Sequence, residues 1–546
     1  MLKIPVSGRP MVVPSIRRVP NQASCALLVM RTMAMHRMTT TSVNRTQRRN
    51  MQSSPKRNSP PSAETLVSPA DSTSNLITPI ATEDATTMAL RQTPLAVLPL
   101  STVLRTLFTT TVSSSKVLLP PSLAVMGILA HTSNPLLNPD KNPLLRYFMK
   151  QTFYAQFCAG ESAPEVRQTI SGLKQIGFTG VILGYAKEVV LTTEQQRGLE
   201  KDGLPTGAAA EECVRNEVVP WAAGTMETVR LASPGDFVAL KFSGAGRQAL
   251  YALKNRLPPP KELRAAIDAI CDLAKERDVP LLFDAEQDAI QQGIDDWTME
   301  YQCKYNADTP HHALVYGTYQ AYLKSTPATL ARHLDIAGKE NFTLGVKLVR
   351  GAYLGSDPRE IIHDTKEDTD LCYDGVAEAL IRREWNSVLT PTSEKSETFP
   401  LVSLVLGSHN QTSVRRARAV RDAIPAHEGT RELAIAQLQG MADEVSCELV
   451  AVKKGDLVRD GGIEKTRAYK YIVWGSTGEC MKYLLRRARE NRDAVQRTKA
   501  GRDAMFGEVV RRVRAVFGLG VVLALRAATC NTDEGKKERR ADLILA

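Results

Sequence analysis

FTLGVKLVRG, at residues 342–351, is a nearly continuous apolar run that ends in Arg350 and Gly351. Strands that are covered on both faces have such runs, whereas strands with one face in water alternate between apolar and polar residues. Arg350 would therefore lie at the end of a buried strand, where a guanidinium needs an anionic or electron-rich partner. Gly351 would let backbone N–H groups approach that partner closely.

Seven other short segments are also apolar and β-prone, and several of them are nearly continuous apolar runs. Stretches with helical spacing, such as 261–278 and 374–389, lie between these segments. In chain order the eight predicted strands are TGVILGYA (179–186), DFVALKFSG (236–244), VPLLFDAE (279–286), ALVYGTYQA (313–321), FTLGVKLVRG (342–351), LVSLVLGSHN (401–410), LAIAQLQGM (433–441) and AYKYIVWG (468–475). Alternating strands and helices are typical of a parallel sheet covered by helices. Eight such units predict an α/β fold, a (βα)₈ TIM-like barrel, with helical insertions in the long connections 187–235 and 352–400.

Seven of these strands end in polar side chains. They are Lys241 and Ser243; Asp284 and Glu286; Tyr319 and Gln320; Arg350; Ser408, His409 and Asn410; Gln437 and Gln439; and Tyr471 and Trp474. Loops are polar, so one or two such endings would mean little. Seven in series predict an active site at the mouth of the barrel, because barrel enzymes build theirs at the carboxyl ends of the strands.

The net charge of +11 comes from the N-terminus of the chain. Residues 1–60 contain eleven Lys and Arg residues, and the first acidic residue is Glu64. Since the rest of the chain is balanced, no nucleic-acid surface is predicted. An acid-free segment rich in Arg, Ser and Thr is typical of a mitochondrial transit peptide, with a disordered basic tail as the alternative. The predicted division is therefore a transit peptide and disordered segment (1–93), a helical region (94–178), the barrel (179–515) and a C-terminal tail (516–546).

Several site types lack their sequence signatures. The nine cysteines form no C-x-x-C pair, and His409 has no second ligand at metal spacing, so no metal site is predicted. No G-x-G-x-x-G follows a strand and no P-loop is present, so any cofactor must be held by the barrel itself. The apolar stretch 117–129 is interrupted by Pro120 and Pro121, and no transmembrane span is predicted.

YLLRRAREN, at residues 483–491, follows the last predicted strand. Its Tyr483, Arg486, Arg487 and Glu490 have the spacing of one helical face. Two guanidinium forks match a carboxylate ligand, and Glu490 can orient them. The alternative is a solvated ladder of charges, and spacing alone favours it. Because the segment directly follows the last predicted strand, it would begin at the barrel mouth, and this position favours an anion-binding site instead.

The strand end LLFDAE carries a second ambiguity. Asp284 could form an ion pair with Lys241 or Arg350 that closes the barrel, or it could contact a ligand. Lys241 could be the partner in that pair or a further cation for a substrate carboxylate.

KLVRGAYL, LLFDAE, TYQAYL, SHN, QLQGM and YLLRRAREN occur in the order and spacing of the proline dehydrogenase family. The chain resembles that family over about residues 94–515, and the insertion 351–374 is similar to the fungal branch. The resemblance implies a distorted barrel with FAD at its mouth, and hydride transfer that oxidises L-proline to Δ1-pyrroline-5-carboxylate. It also implies a membrane quinone as electron acceptor and peripheral association with the matrix side of the mitochondrial inner membrane.

The resemblance further implies roles for individual residues. Arg486 and Arg487 would bind the proline carboxylate, assisted by Lys241 and braced by Glu490. Tyr471 and Tyr483 would line the proline ring, Asp284 would hold Lys241 or Tyr471, and Arg350 would lie near the flavin N5. The expected FAD contacts are Gln320, Gly351, Ala352, Tyr353, Ser408 and His409.

The chain departs from the family at Val473 and Trp474, where the family commonly has Pro-Tyr, and in the C-terminal tail. The first departure could reshape the pocket, so hydroxyproline is a second candidate substrate. The chain could also be a different flavin barrel, such as a methylenetetrahydrofolate reductase, or a catalytically silent matrix binding protein. The set of charged residues at the strand ends argues against the silent protein.

Overall fold

The structure is a computed structural model. It describes residues 93–516 except 133, 188, 190–196, 198–200, 202, 308–311, 394–397, 425–432, 460–465 and 491–494. The predicted transit peptide and nearly all of the predicted C-terminal tail lie outside the described residues. In 452–459, 489–490 and 495–497 only the backbone is described.

In the described part of the chain, nine strands form one parallel sheet. They are β1 (Cys158–Gly160), β2 (Gly180–Tyr185), β3 (Phe237–Leu240), β4 (Leu281–Phe283), β5 (Val315–Gln320), β6 (Leu344–Val349), β7 (Val402–Gly407), β8 (Leu433–Leu438) and β9 (Thr466–Trp474). Strands β2 to β9 pair in chain order, and β9 also pairs with β2, which closes an eight-stranded barrel. The predicted barrel and its eight strands are confirmed. The sequence did not predict β1, whose three residues lack a β-prone run and pair only with the end of β9.

Helices surround the barrel and extend from it at both ends of the described chain. Those before the barrel are α1 (Leu100–Ser114), α2 (Leu119–His131), α3 (Pro143–Met149) and α4 (Ala163–Ile176). Those between strands are α5 (Gly207–Cys213), α6 (Val219–Leu231), α7 (Arg247–Lys254), α8 (Lys261–Arg277), α9 (Asp288–Asn306), α10 (Thr326–Glu340), α11 (Lys366–Arg382), α12 (Gln411–Asp422) and α13 (Asp443–Arg459). After β9 come α14 (Thr477–Glu490) and α15 (Val495–Val516). The extra helix α5 confirms an insertion between β2 and β3.

Helix α11 differs from the helix predicted over 374–389. A capping box starts it earlier, because the side chain of Thr365 accepts the backbone N–H of Asp368 and the Asp368 carboxylate accepts that of Thr365. Arg383 ends it with a left-handed φ of 58°. The apolar spacing beyond Arg383 is therefore not helical, and the second half of that prediction is wrong.

The interior of the barrel is packed at its amino end. The rings of Phe237, Tyr316 and Tyr469 meet there edge to face, with centroids 5.7 and 5.2 Å from Phe237. Above this aromatic layer the inward side chains become polar, beginning with Asp284 and Lys347. The packed floor leaves the carboxyl end of the barrel as the place for a site.

Helices α1 and α2 pack against the C-terminal part of the chain, α1 on α15 and α2 on α14. The sequence predicted helical spacing over 94–108, and a 3₁₀ turn, Pro94–Val97, precedes α1 there. No single helix of the described residues has both the length and the apolar composition of a membrane span. Helices α1 and α2 meet the test only as a pair, and they are bent by 105° relative to each other.

Candidate active site

The carboxylate of Asp284 is the centre of a buried polar cluster at the barrel mouth. It accepts hydrogen bonds from Lys241 Nζ at 3.1 Å, from Lys347 Nζ at 2.5 Å and from the Tyr471 hydroxyl at 2.9 Å. Asp284 and Lys241 directly follow β4 and β3, whereas Lys347 lies in β6 and Tyr471 in β9. Four strands of the barrel therefore fix this arrangement, which we call the Asp284 cluster.

Burial and charge act in opposite directions on the Asp284 cluster. Burial alone would raise the pKa of Asp284, but the charges of Lys241 and Lys347 outweigh it and hold that pKa well below the usual range. Burial lowers the pKa of Lys347, and the Asp284 carboxylate opposes this effect. Burial and the same carboxylate raise the pKa of Tyr471. With one carboxylate and two ammonium groups, the cluster has an excess of positive charge that favours an anionic ligand.

Lys347 is a site residue that the sequence reasoning missed. Side chains alternate across a strand, so Lys347 points to the opposite face from Val346 and Leu348. Those two apolar side chains pack into the layer between sheet and helices, which turns Lys347 into the barrel. A single lysine inside an apolar strand was the signal that could have found it.

Arg350 lies two positions after Leu348 and four after Val346. Its side chain therefore points outward from the barrel, as theirs do. Its guanidinium pairs with Asp370 of α11, donates to Ser413 Oγ of α12 at 2.7 Å, and lies 5.0 Å from the ring centre of Tyr373. Tyr373 belongs to the hydrophobic layer between the sheet and the helices. Of the two cations considered as partners of Asp284, the structure therefore pairs Lys241 with it and not Arg350. Lys347, not Arg350, is the cation of β6 that reaches the barrel mouth.

Helix α14 begins at a capping box that the sequence STGE encodes. Ser476 Oγ accepts the N–H of Glu479 at 3.2 Å, and the Glu479 carboxylate accepts the N–H of Ser476 at 3.3 Å. The carboxylates of Asp140 and Glu161 accept two further N–H groups of this first turn, from Gly478 at 2.8 Å and Thr477 at 3.1 Å. These caps fix the direction in which α14 leaves β9.

That direction brings Tyr483, Arg486 and Arg487 to the barrel mouth. The guanidinium carbons of Arg486 and Arg487 lie 5.8 and 5.5 Å from the centre of the Tyr483 ring. Tyr483 in turn packs in the same apolar cluster as Tyr471. The charge of Arg487 acts on the pKa of both Lys347 and Tyr471, lowering each. The structure therefore brings Arg487 close to the Asp284 cluster, whereas the contact shown for Arg486 is the one with Tyr483. The side chain of Glu490 lies outside the described residues.

A pocket with a volume of about 190 Å³ lies between α1, α2, α14 and the ends of β7 and β8. Arg487 and Tyr483 line it together with His409 and Gln439. The side-chain oxygen of Gln439 is buried there with no hydrogen-bond partner in the described part of the chain. Sites for drug-sized ligands are typically about 300–1,000 Å³, so this pocket can hold only a part of a large cofactor.

The predicted cofactor contacts lie at neighbouring strand ends. Gln320 donates from Nε2 to the Glu286 carbonyl at 3.3 Å and accepts the N–H of Ala352 at 3.2 Å, which ties β4, β5 and β6 together. The Tyr353 hydroxyl donates to the Ala285 carbonyl at 3.5 Å. Of this set, His409 lines this pocket, whereas Gln320 lines a second pocket between Asp288–Asn306 (α9) and Thr326–Glu340 (α10).

Ser408 and His409 have defined hydrogen-bonding roles after β7. Ser408 Oγ accepts the N–H of Asn410 at 3.1 Å, and His409 Nε2 accepts the N–H of Leu438 at 3.1 Å. With Nε2 as acceptor, a neutral His409 carries its proton on Nδ1.

Gly351 is required, but for a different reason from the one expected. Its φ is +153°, and a Cβ there would lie 2.3 Å from the ring of Tyr322. The close neighbour that excludes a side chain is therefore Tyr322 of the protein.

Val473 and Trp474, at which the chain departs from the family pattern, have side chains that point in different directions. Val473 packs in the apolar cluster that contains Tyr471 and Tyr483. Trp474 points outward, where its Nε1 donates to Thr228 Oγ1 of α6 at 2.9 Å. Only Val473 is placed to change the shape of the pocket.

Known proteins resemble this chain over the region that builds the site. The model of a family described as proline dehydrogenase matches residues 166–500, more than half of the chain. The probable mitochondrial proline dehydrogenase of Schizosaccharomyces pombe is 29% identical over 456 residues, which cover 76% of this chain and 88% of that protein. The hydroxyproline dehydrogenase of Bos taurus is 26% identical over 396 residues, which cover 67% of this chain and 82% of that protein.

Among solved structures, proline utilization A (PutA) from Bdellovibrio bacteriovorus, inactivated by N-propargylglycine, aligns with a TM-score of 0.48 and 17% identity. The alignment covers 70% of this chain and 37% of that one. The family match extends from α4 to α15 and includes every strand of the closed barrel. On the strength of that match, the chain belongs to the proline dehydrogenase family.

Proposed function

We propose that this protein oxidises L-proline to Δ1-pyrroline-5-carboxylate with bound FAD. The observation that carries the proposal is the excess positive charge of the Asp284 cluster beside Arg487, in a chain that belongs to the proline dehydrogenase family. A free imino acid presents one carboxylate and one amine on a small apolar ring. The cations of the site complement the carboxylate of such a ligand, and the aromatic rings complement its apolar ring.

The substrate carboxylate is bound by Arg486 and Arg487, with Lys241 as a further cation. Two guanidinium forks on one helix fix the direction of a carboxylate as well as its position. The rings of Tyr471 and Tyr483 pack against the apolar carbons of proline. Asp284 contacts no substrate in this arrangement, because it holds Lys241, Lys347 and the Tyr471 hydroxyl in place.

The same charges prepare the amine for oxidation. Hydride loss from the carbon next to nitrogen requires a neutral amine, and nearby positive charge lowers the pKa of a bound ammonium group. The excess positive charge of the site therefore favours release of the proton. Cations on the carboxylate and the rings of Tyr471 and Tyr483 on the apolar carbons would hold the substrate in one orientation, which favours hydride transfer.

FAD fits the residues that are present. The buried Gln439 oxygen in the pocket can accept a hydrogen bond from a donor such as a ribityl hydroxyl or a flavin N–H. The residues proposed to hold it are Gln320, Gly351, Ala352, Tyr353, Ser408 and His409, with Gln439 and Lys347 added from the geometry. When bound, FAD supplies the hydride acceptor. Arg350, which faces α11 and α12, is not in this set.

A membrane quinone is proposed as the final electron acceptor, at the matrix side of the mitochondrial inner membrane. The support is the acid-free basic segment 1–60 and the naming of relatives from Schizosaccharomyces pombe, Dictyostelium discoideum and Arabidopsis thaliana as mitochondrial. A fluorescent protein fused after residues 1–93 should enter mitochondria. A fusion that stays in the cytosol would contradict the location.

The decisive experiment is an anaerobic titration of the purified full-length protein with L-proline. The protein should be yellow, and proline should bleach its visible flavin absorbance. A colourless protein that cannot be loaded with FAD would overturn the cofactor. Bound flavin that proline leaves unbleached would overturn the substrate.

Hydroxyproline is the second candidate substrate, because relatives of similar identity are named hydroxyproline dehydrogenases. The ratio of kcat/KM for the two imino acids decides between them. Val473→Pro tests the departure directly, since Val473 packs in the cluster of Tyr471 and Tyr483. A change in that ratio is expected for Val473→Pro and not for Trp474→Tyr.

A further inference from the structure

A second pocket lies beside β5, between α9 and α10, and we call it the α9–α10 pocket. Its volume is about 390 Å³, which is larger than that of the pocket at the barrel mouth and within the usual range for a small ligand. Polar and charged side chains line most of it, and Met299, Leu323 and Ile336 also line it. The mixture favours a ligand that is polar at one end and apolar at the other.

Two opposite charges line this pocket without pairing. Asp295 of α9 receives one hydrogen bond, from Gln291 Nε2 at 2.8 Å, and its other oxygen has no partner in the described part of the chain. Arg332 of α10 is half-buried, and no carboxylate among the described residues pairs with its guanidinium. The charge of Arg332 nevertheless acts to lower the pKa of Asp295, so the two groups are close enough to interact. A ligand that carries both charges can bridge them.

His333 adds a hydrogen-bonding group on the same helix as Arg332. It lines the pocket, is only 5% exposed, and its Nδ1 lies 2.8 Å from the Tyr319 hydroxyl. Its Nε2 has no hydrogen-bond partner among the described residues. Burial lowers the pKa of His333 to about 3, so the imidazole is neutral, and with the Tyr319 hydroxyl as donor its proton lies on Nε2. A buried donor of this kind is costly until an acceptor, such as a ligand carboxylate, satisfies it.

The other charges of the pocket are already in use. Asp296 accepts hydrogen bonds from Arg256 Nε at 2.7 Å and Nη2 at 2.9 Å. Asp288 lies in the first turn of α9, where the helix dipole stabilises a carboxylate. Asp295 and Arg332 are therefore the two charges left for a ligand. A ligand with a further negative charge would be repelled by Asp288 and Asp296, so an uncharged side chain is favoured.

One residue connects this pocket to the candidate active site. Gln320 lines the pocket, and its side chain bonds the Glu286 carbonyl and the Ala352 N–H at the barrel rim. We infer that the α9–α10 pocket is a second ligand site that takes an uncharged primary α-amino acid as its zwitterion, with the ammonium group on Asp295 and the carboxylate on Arg332 and His333. The inference goes beyond the proposed function, because this ligand binds beside β5 and not at the barrel mouth.

Isothermal titration calorimetry of the full-length protein loaded with FAD tests the inference. The titration is made at pH 8, where the Asp295 carboxylate is ionised. L-Alanine is the first probe, and L-leucine extends it to a larger apolar side chain. Propionate and ethylamine each keep only one of the two charges of alanine. Each should bind about tenfold more weakly or worse, because it loses one set of charged hydrogen bonds.

Variants separate this pocket from the barrel mouth. Arg332→Met and Asp295→Asn should each weaken L-alanine binding about tenfold or more. Arg487→Met at the mouth, and Arg416→Met at an exposed arginine of α12, should leave it unchanged. Because binding is measured without turnover, a failure of the proposed function would not alter this pattern.

Three results would overturn the second site. They are the absence of saturable binding with both amino acids, equal binding of propionate or ethylamine, and binding that Arg487→Met abolishes while Arg332→Met does not. If Arg332→Met misfolds by circular dichroism, Arg332→Gln carries the same test.

Discussion

Two carboxylates of this barrel have pKa values that are shifted in opposite directions. Asp284 contacts two ammonium groups and a tyrosine hydroxyl, and its pKa lies well below the usual range. Asp295 of α9 lines a pocket between α9 and α10 and receives a 2.8 Å hydrogen bond from Gln291 Nε2. Burial raises the pKa of Asp295 to about 7, and the neighbouring Asp296 adds to the rise.

The contrast shows that burial alone does not determine the charge of a group. The difference lies in the cations, since Asp284 is held between two of them and the nearest contact of Asp295 is a neutral amide. A carboxylate that is ionised and fixed can hold catalytic neighbours in place. A carboxylate near its midpoint at neutral pH instead makes stability depend on pH. The predictions below test the two sides of this contrast.

The largest effect is expected from Asp284→Asn. The substitution leaves Lys241 and Lys347 close together in a buried site without a counter-charge. The free energy of unfolding should fall by about 3–5 kcal/mol, and proline oxidation should be lost. Urea unfolding measures the first and a dye-linked assay the second. Asp335→Asn, which breaks an exposed pair with Lys339, is the control and should cost about 1 kcal/mol or less. Equal losses in the two variants would remove the central role given to Asp284.

Next in size is Arg487→Met, which removes one of two forks from the proposed carboxylate site. The loss should amount to roughly 2–5 kcal/mol of proline binding, seen as a raised KM for proline in a folded, yellow protein. Arg416→Met on α12 removes an exposed arginine that pairs with Glu378, and it should leave KM unchanged. An unchanged KM in Arg487→Met would contradict the carboxylate site and would favour the alternative, in which the arginines belong to a solvated face of charged residues.

A pair of substitutions in and after β6 compares the inward cation with the outward one. Lys347→Met should lower kcat/KM about tenfold or more, because it removes a charge that contacts Asp284. Arg350→Met breaks contacts with Asp370 and Ser413, so it should cost about 1–2 kcal/mol of stability with a change in kcat/KM of about twofold or less. Flavin content, unfolding and steady-state rates of both variants are the measurements. Loss of flavin from Arg350→Met alone would restore the cofactor role that the resemblance implied for it.

This pair also shows what the sequence could and could not predict. The eight strands were predictable because strands covered on both faces are apolar and their ends are polar. The outward direction of the Arg350 side chain was not predicted, although the alternation of side chains along a strand implies it. The prediction placed Arg350 at a strand end without considering that Arg350 and Lys347 must point to opposite faces. Contacts between distant segments, such as Tyr471 with Asp284, depend on barrel closure and have no local signal.

The helix ends were partly readable in the same way. The capping-box sequence STGE after β9 is a local signal for the start of α14. A helix that starts there has Tyr483 and Arg487 near the barrel mouth. The pocket behind α1 and α2 had no such signal, because it arises where α1 packs on α15 and α2 on α14. For that reason Gln439 could be recognised from the sequence as a polar strand end but could not be given a role.

The smallest effect concerns the second carboxylate of the comparison. Because the pKa of Asp295 is raised to about 7, the folded protein keeps a proton there that the unfolded chain releases above about pH 4. The folded state therefore binds more protons between these values, and stability falls as pH rises through that window. Asp295→Asn should be indistinguishable from wild type near pH 4 and more stable above pH 7. Solvent in the pocket reduces the effect, so the gain should be about 1–2 kcal/mol. Thermal unfolding over this pH range is the measurement, and the pH 4 point is its internal control. A gain that is the same at both ends of the range would mean that the charge of Asp295 is not its cause, and the contrast with Asp284 would then rest on Asp284 alone.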